Sequence, residues 1–155
     1  MAEGEAFSPD RERALVAALD EILPASGDGR LPAGGFMVAA GLLERTFSIL
    51  PDMRVPIAFG LDALDRAAAA RGRGPFAALG PEDRRAVLDE IAGADPAFLP
   101  TLMFLAYVSY YADPGVLRGI GFEPRPPHPE GYAMAPSDPA LLDAVRARGR
   151  IWREA

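Results

Sequence analysis

At five junctions in this chain a serine, aspartate or glycine followed by a proline stands where a helical pattern begins. The junctions are Ser8-Pro9, Gly80-Pro81, Asp95-Pro96, Asp113-Pro114 and Asp138-Pro139. Proline has no N–H to give to a helix ladder and its φ is fixed near the helical value, so the first helical position suits it. A preceding Ser or Asp accepts one of the backbone N–H groups that the first turn leaves unpaired. Each junction therefore reads as a helix start, which makes a mostly helical fold the first expectation.

The apolar spacing agrees. Leu15, Val16, Leu19, Ile22 and Leu23 recur at helical intervals until Pro24. A second helix is expected from about Gly35 to Leu50, with Phe36, Leu43, Phe47 and Leu50 on one face. A third follows with Pro56 in or before its first turn, Ile57, Leu61, Leu64 and Ala68 as its stripe, and Asp62 paired with Arg66 four residues on. The fourth turns Val87, Leu88 and Ile91 inward and Arg84, Arg85 and Glu90 outward. The fifth, from Asp95-Pro96 to about Ala112, is apolar nearly all round and is expected to be the central helix. Asp113-Pro114-Gly115 opens a short turn. No alternating strand pattern of useful length intervenes.

Composition sets the limits. A chain of 155 residues with 50% hydrophobic residues suits one compact core. With no cysteine, disulfides, zinc–thiolate sites and iron–sulfur clusters within the chain are excluded. The net charge of -6 and the lack of a basic stripe argue against nucleic acid as a partner. Phe98 to Ala112 is too short for a membrane span and contains Pro100, so direct membrane insertion is not expected. The opening residues resemble no export signal, so the chain is expected in the cytoplasm, or in the periplasm if a signal-bearing partner carries it there.

From Gly121 the composition changes. Pro124, Pro126, Pro127, Pro129 and Pro136 preclude a helix and favour extended chain. Ser137-Asp138-Pro139 then starts a last short helix with Leu141, Leu142 and Val145. The expectation is an all-α protein: a compact bundle of about five main helices over residues 1–120, and an extended Pro-rich arm with a short helix over residues 121–155.

Three consecutive stretches resemble the gluconate 2-dehydrogenase subunit 3 family. They are Phe59-Gly60-Leu61-Asp62-Ala63-Leu64-Asp65; Gly74-Pro75-Phe76-Ala77-Ala78-Leu79-Gly80-Pro81-Glu82-Asp83-Arg84; and Phe98-Leu99 through Tyr110-Tyr111-Ala112-Asp113-Pro114 to Gly119-Ile120-Gly121-Phe122. Ile22-Leu23-Pro24 fits the end of that family's opening helix. The chain departs from the pattern at Gly115-Val116-Leu117-Arg118, where members commonly carry Gly-Gly-Asn, and its one tryptophan is Trp152. The resemblance implies an accessory small subunit. The expected partner is an FAD-dependent large subunit of the glucose-methanol-choline (GMC) type, joined in some members by a cytochrome c subunit. The flavin would belong to that partner, and the small subunit would support its stability, maturation or export.

Read for chemistry, the residues assign no catalytic, cofactor-binding or metal-ligating role. His128, the one histidine, lies between Pro127 and Pro129 and reads as a solvated loop residue. Asp62 and Asp65 share a helix face, but Arg66 is adjacent and no desolvation is evident. Gly72-Arg73-Gly74-Pro75 follows no strand and precedes no lysine, so it is a turn rather than a phosphate loop. Ser26 lacks a nucleophile-elbow frame. Met103, Phe104, Tyr107, Tyr110 and Tyr111 are expected to be mostly core, with the tyrosines also suited to an interface. Partner contacts are expected at Tyr110, Tyr111, Phe122, Tyr132, Met134, Ile151 and Trp152. The alternatives are a helical adaptor for some other partner and a stand-alone helical enzyme.

Overall fold

The computed structural model describes residues 6–124 and 137–149. The described residues are helical with no strand. The chain divides into two units, Met1–Pro124 and Arg125–Ala155.

The first unit opens with α1 (Pro9–Ile22), where Ser8 Oγ accepts from Arg11 N at 3.4 Å, Pro9 takes the first position, and Asp10 and Glu12 lie at the positive end of the helix dipole. Leu15 and Leu19 are fully buried, as their spacing requires. The expected second helix is two pieces, α2 (Phe36–Ala39) and α3 (Leu42–Ile49). Gly41 between them has φ 66°, a left-handed conformation that any other residue adopts at a cost, and it turns the chain between the two segments. A 3₁₀ turn over Pro51–Met53 leads into α4 (Arg54–Ala70), with Pro56 in its first turn. Ile57, Leu61, Leu64 and Ala68 along α4 are all completely buried.

α5 (Pro81–Ala94) continues through Gly93 and ends one residue later. Asp95 caps its end, and the Asp95 carboxylate then accepts from Ala97 N at 3.1 Å, so α6 (Phe98–Tyr110) starts two residues beyond Pro96. α7 (Pro114–Gly119) is capped by Asp113, whose Oδ1 accepts from Gly115 N at 2.7 Å and Val116 N at 3.0 Å. The core joins α1, α4, α5 and α6 through Leu15, Leu61, Val87 and Leu102, with Phe76 from the turn Phe76–Ala78 plugged into it.

Phe122, placed on the arm by its sequence, belongs to this first unit: its N–H donates to Leu117 O at 2.9 Å, closing the end of α7. In the second unit Asp138 Oδ1 accepts from Ala140 N at 2.9 Å, starting a 3₁₀ turn over Pro139–Leu142 that continues into α8 (Asp143–Arg146). No single helix among the described residues is long and apolar enough to cross a membrane.

Candidate functional site: an apolar helix face

The carboxylates, serine and glycine turn weighed for chemistry are all engaged in holding the fold. Asp62 takes a two-pronged ion pair from Arg11 of α1, with Nε–Oδ1 and Nη2–Oδ2 both 2.8 Å. That is a correction to the expected local pair with Arg66. The partner sits 51 residues away in sequence, and its planar fork matches a carboxylate better than a single contact would. These hydrogen bonds hold the Asp62 carboxyl below its ordinary value, against the opposing effect of burial. Asp65 Oδ1 accepts from Phe76 N at 2.9 Å and anchors the turn that carries Phe76 into the core. Ser26 Oγ donates to Asp28 at 2.6 Å and accepts from Leu31 N at 2.8 Å, tying one loop together. In the glycine-rich turn, Gly72 and Gly74 both have positive φ and Arg73 pairs with Asp83. Among the described residues no three His, Asp or Glu side chains gather as metal ligands.

Arg84 also departs from its expected outward position. It donates to Ala77 O at 2.7 Å, lies 3.8 Å from Glu21, and lines a groove of about 430 Å³ along α1. Two other charges of that groove are also committed within the chain: Asp20 accepts from Gly35 N at 2.7 Å and Arg13 pairs with Asp10.

α6 is different. Its thirteen residues, Phe-Leu-Pro-Thr-Leu-Met-Phe-Leu-Ala-Tyr-Val-Ser-Tyr, carry no charge. One face, with Phe98, Leu102, Leu105, Ala106 and Ser109, is buried. The opposite face carries Met103, Phe104, Tyr107 and Val108, continues to Tyr111, and is exposed: Phe104 at 53% and Tyr111 at 46%. The helix is thus half-buried rather than enclosed, a correction to the expected central position. Met103, Phe104, Tyr107 and Tyr111, expected mostly as core, are surface residues.

Tyr110 is the exception among the aromatics, and it is corrected as a contact residue. It is 2% exposed, its hydroxyl donates to Pro32 O at 2.7 Å, and its ring meets Phe36 edge-on at 5.7 Å. Burial raises its hydroxyl pKa, with smaller contributions from Tyr111 and Asp113. Tyr110 instead supports its neighbour, packing edge-on against the exposed Tyr111 at 5.4 Å.

Other elements carry exposed apolar residues as well. Ile49 of α3, 77% exposed, lines a groove with Val108. Phe59 of α4 is exposed beside Gly60, against which the Phe98 ring at the start of α6 packs. A Cβ at Gly60 would lie 1.9 Å from Phe98 Cδ2, so the close approach of α4 to α6 depends on that glycine. Phe122, a further expected contact, is exposed as well. Tyr132, Met134, Ile151, Trp152 and His128 lie outside the described residues.

The family model described as gluconate 2-dehydrogenase subunit 3 matches residues 9–124. No curated protein and no solved structure matches the chain.

Proposed function

Because this chain belongs to the gluconate 2-dehydrogenase subunit 3 family, whose name makes it a subunit of a dehydrogenase complex, we propose that it is the non-catalytic small subunit and docks through the exposed face of α6. The partner is the FAD-dependent, GMC-type large subunit, which holds both flavin and substrate. The small subunit supports that partner's stability or maturation. In some such complexes a cytochrome c subunit is a further member.

The observation that carries this reading is the uncharged outer face of α6. Contiguous apolar surface on a soluble protein marks an interaction site more often than it marks a random surface. This one is built from aromatic residues and methionine, the types enriched in the cores of protein interfaces. Its two exposed tyrosines suit a surface that is wet when free and buried when bound. The Arg11–Asp62 pair and the Asp65–Phe76 anchor tie α1, α4 and the Phe76 turn together, and Phe98 of α6 packs against α4 at Gly60.

Co-expression with the dehydrogenase large subunit tests the reading. The chain alone is expected to be colourless, and the pair to co-purify with flavin absorbance. A chain that fails to associate, or that oxidises substrate by itself, would overturn it.

A further inference from the structure

The groove at the edge of the α6 face has a chemistry of its own. It lies between α3 and α6, measures about 150 Å³, and is walled by Leu42, Ile49, Leu50 and Val108. That is well below the roughly 300–1,000 Å³ of sites for free small molecules, and its scale is that of one inserted side chain.

Two hydroxyls lie in the groove, and both are already paired. Thr46 Oγ1 donates to Leu42 O at 3.2 Å, and Ser109 Oγ lies 2.7 Å from Thr46 Oγ1. With Thr46 donating to the carbonyl, Ser109 is the donor in the second bond, so neither hydroxyl proton is left seeking a partner. The floor therefore behaves as apolar surface, and an apolar side chain entering it strands no donor.

Arg45 is the one charged residue lining the groove. It is exposed and forms no ion pair among the described residues. Its sequence neighbour Glu44 pairs with Arg54. In a chain of net charge -6, this groove thus presents a free positive charge beside an apolar slot.

We infer that the α3–α6 groove is an anchor site for a segment of the dehydrogenase large subunit that places one aliphatic or aromatic side chain between Ile49 and Val108 and a carboxylate, within a helical turn of it, on Arg45. The inference rests on the reading of α6 as the surface that faces the dehydrogenase. Val108 belongs both to that surface and to the groove, so a segment crossing α6 meets the slot without leaving the interface.

Photo-crosslinking in the assembled complex separates the two ideas. Benzoylphenylalanine is placed in turn at Ile49, at Phe104 and, as a control, at the exposed Ala69 of α4, and the purified complex is irradiated. Crosslinks to the large subunit are expected from Ile49 and Phe104 but not from Ala69. The peptide captured at Ile49 should carry an apolar residue within a turn of an Asp or Glu. Arg45→Glu should weaken association several-fold at low salt and little at high salt, since exposed charge pairs are screened. An acid-to-arginine change in the captured peptide should restore it.

If Phe104 crosslinks and Ile49 does not, or if Ile49 captures a second copy of this chain or a peptide without an acid, the groove inference falls while the docking face stands. An unchanged affinity for Arg45→Glu overturns it equally. If neither position reaches the large subunit, both readings fall together.

Discussion

At the residue scale, the support beneath the exposed face depends on a few contacts. Gly60 lets the Phe98 ring lie against the α4 backbone, so Gly60→Ala forces a methyl group into a buried aromatic side chain. We expect a loss of about 1–3 kcal/mol, the range for overpacked cores, seen as a lower Tm in calorimetry. Unchanged stability would mean the ring can move aside. The Arg11–Asp62 pair has a pH signature. Because the folded state holds the Asp62 pKa below its ordinary 3.8, its contribution is complete above that value and disappears as pH falls through the depressed one. Asp62→Asn should therefore be less stable than the parent protein in urea unfolding near neutral pH. The gap should close as pH falls below the ordinary carboxylate range. A gap that stayed constant with pH would assign the loss to packing instead. Sequence reading gave Asp62 the wrong partner for a physical reason: Arg66 is one turn away and any helix brings it close, whereas Arg11 comes near only once α1 and α4 have packed.

At the element scale, what could be read from sequence follows the contrast between a helix's two faces. α4 was legible because Ile57, Leu61, Leu64 and Ala68 recur at helical spacing while Asp62, Asp65 and Arg66 fall between them, and its stripe is completely buried. The capping junctions were legible for the same local reason, at Ser8-Pro9, Asp113-Pro114 and Asp138-Pro139. The break at Gly41 was not, because a lone glycine within an apolar helical pattern is tolerated and only its positive φ shows the turn. α6 failed most informatively. When both faces of a helix are apolar the period vanishes from the sequence, and a helix that is half core and half interface looks the same as one wholly enclosed. Two substitutions on α6 separate its faces. Leu102→Ala, in the core, should cost about 2–5 kcal/mol. Phe104→Ala, two residues along on the exposed face, should change the stability of the free protein by no more than about 0.5 kcal/mol. Similar losses at both positions, measured by chemical unfolding, would show that the outer face is already covered within the chain.

At the scale of the whole molecule, the helical unit over residues 6–124 exposes an aromatic helix face and an adjoining slot. The family match spans residues 9–124, nearly all of that unit, and supplies the kind of complex in which such a face would be buried. The sequence pointed to partner contacts at Tyr110 and Tyr111 and, toward the C-terminus, at Phe122, Tyr132, Met134, Ile151 and Trp152. The described residues add Met103, Phe104 and Val108 beside Tyr111, because Met103 and Phe104 were indistinguishable from core by composition alone. The most direct test is the affinity of the large subunit for a Phe104→Asp, Tyr111→Asp double variant, after circular dichroism and Tm have shown that the free variant is folded. The account predicts association at least about tenfold weaker, as expected when interface hot spots are charged and buried. Binding at the affinity of the unaltered chain would contradict it.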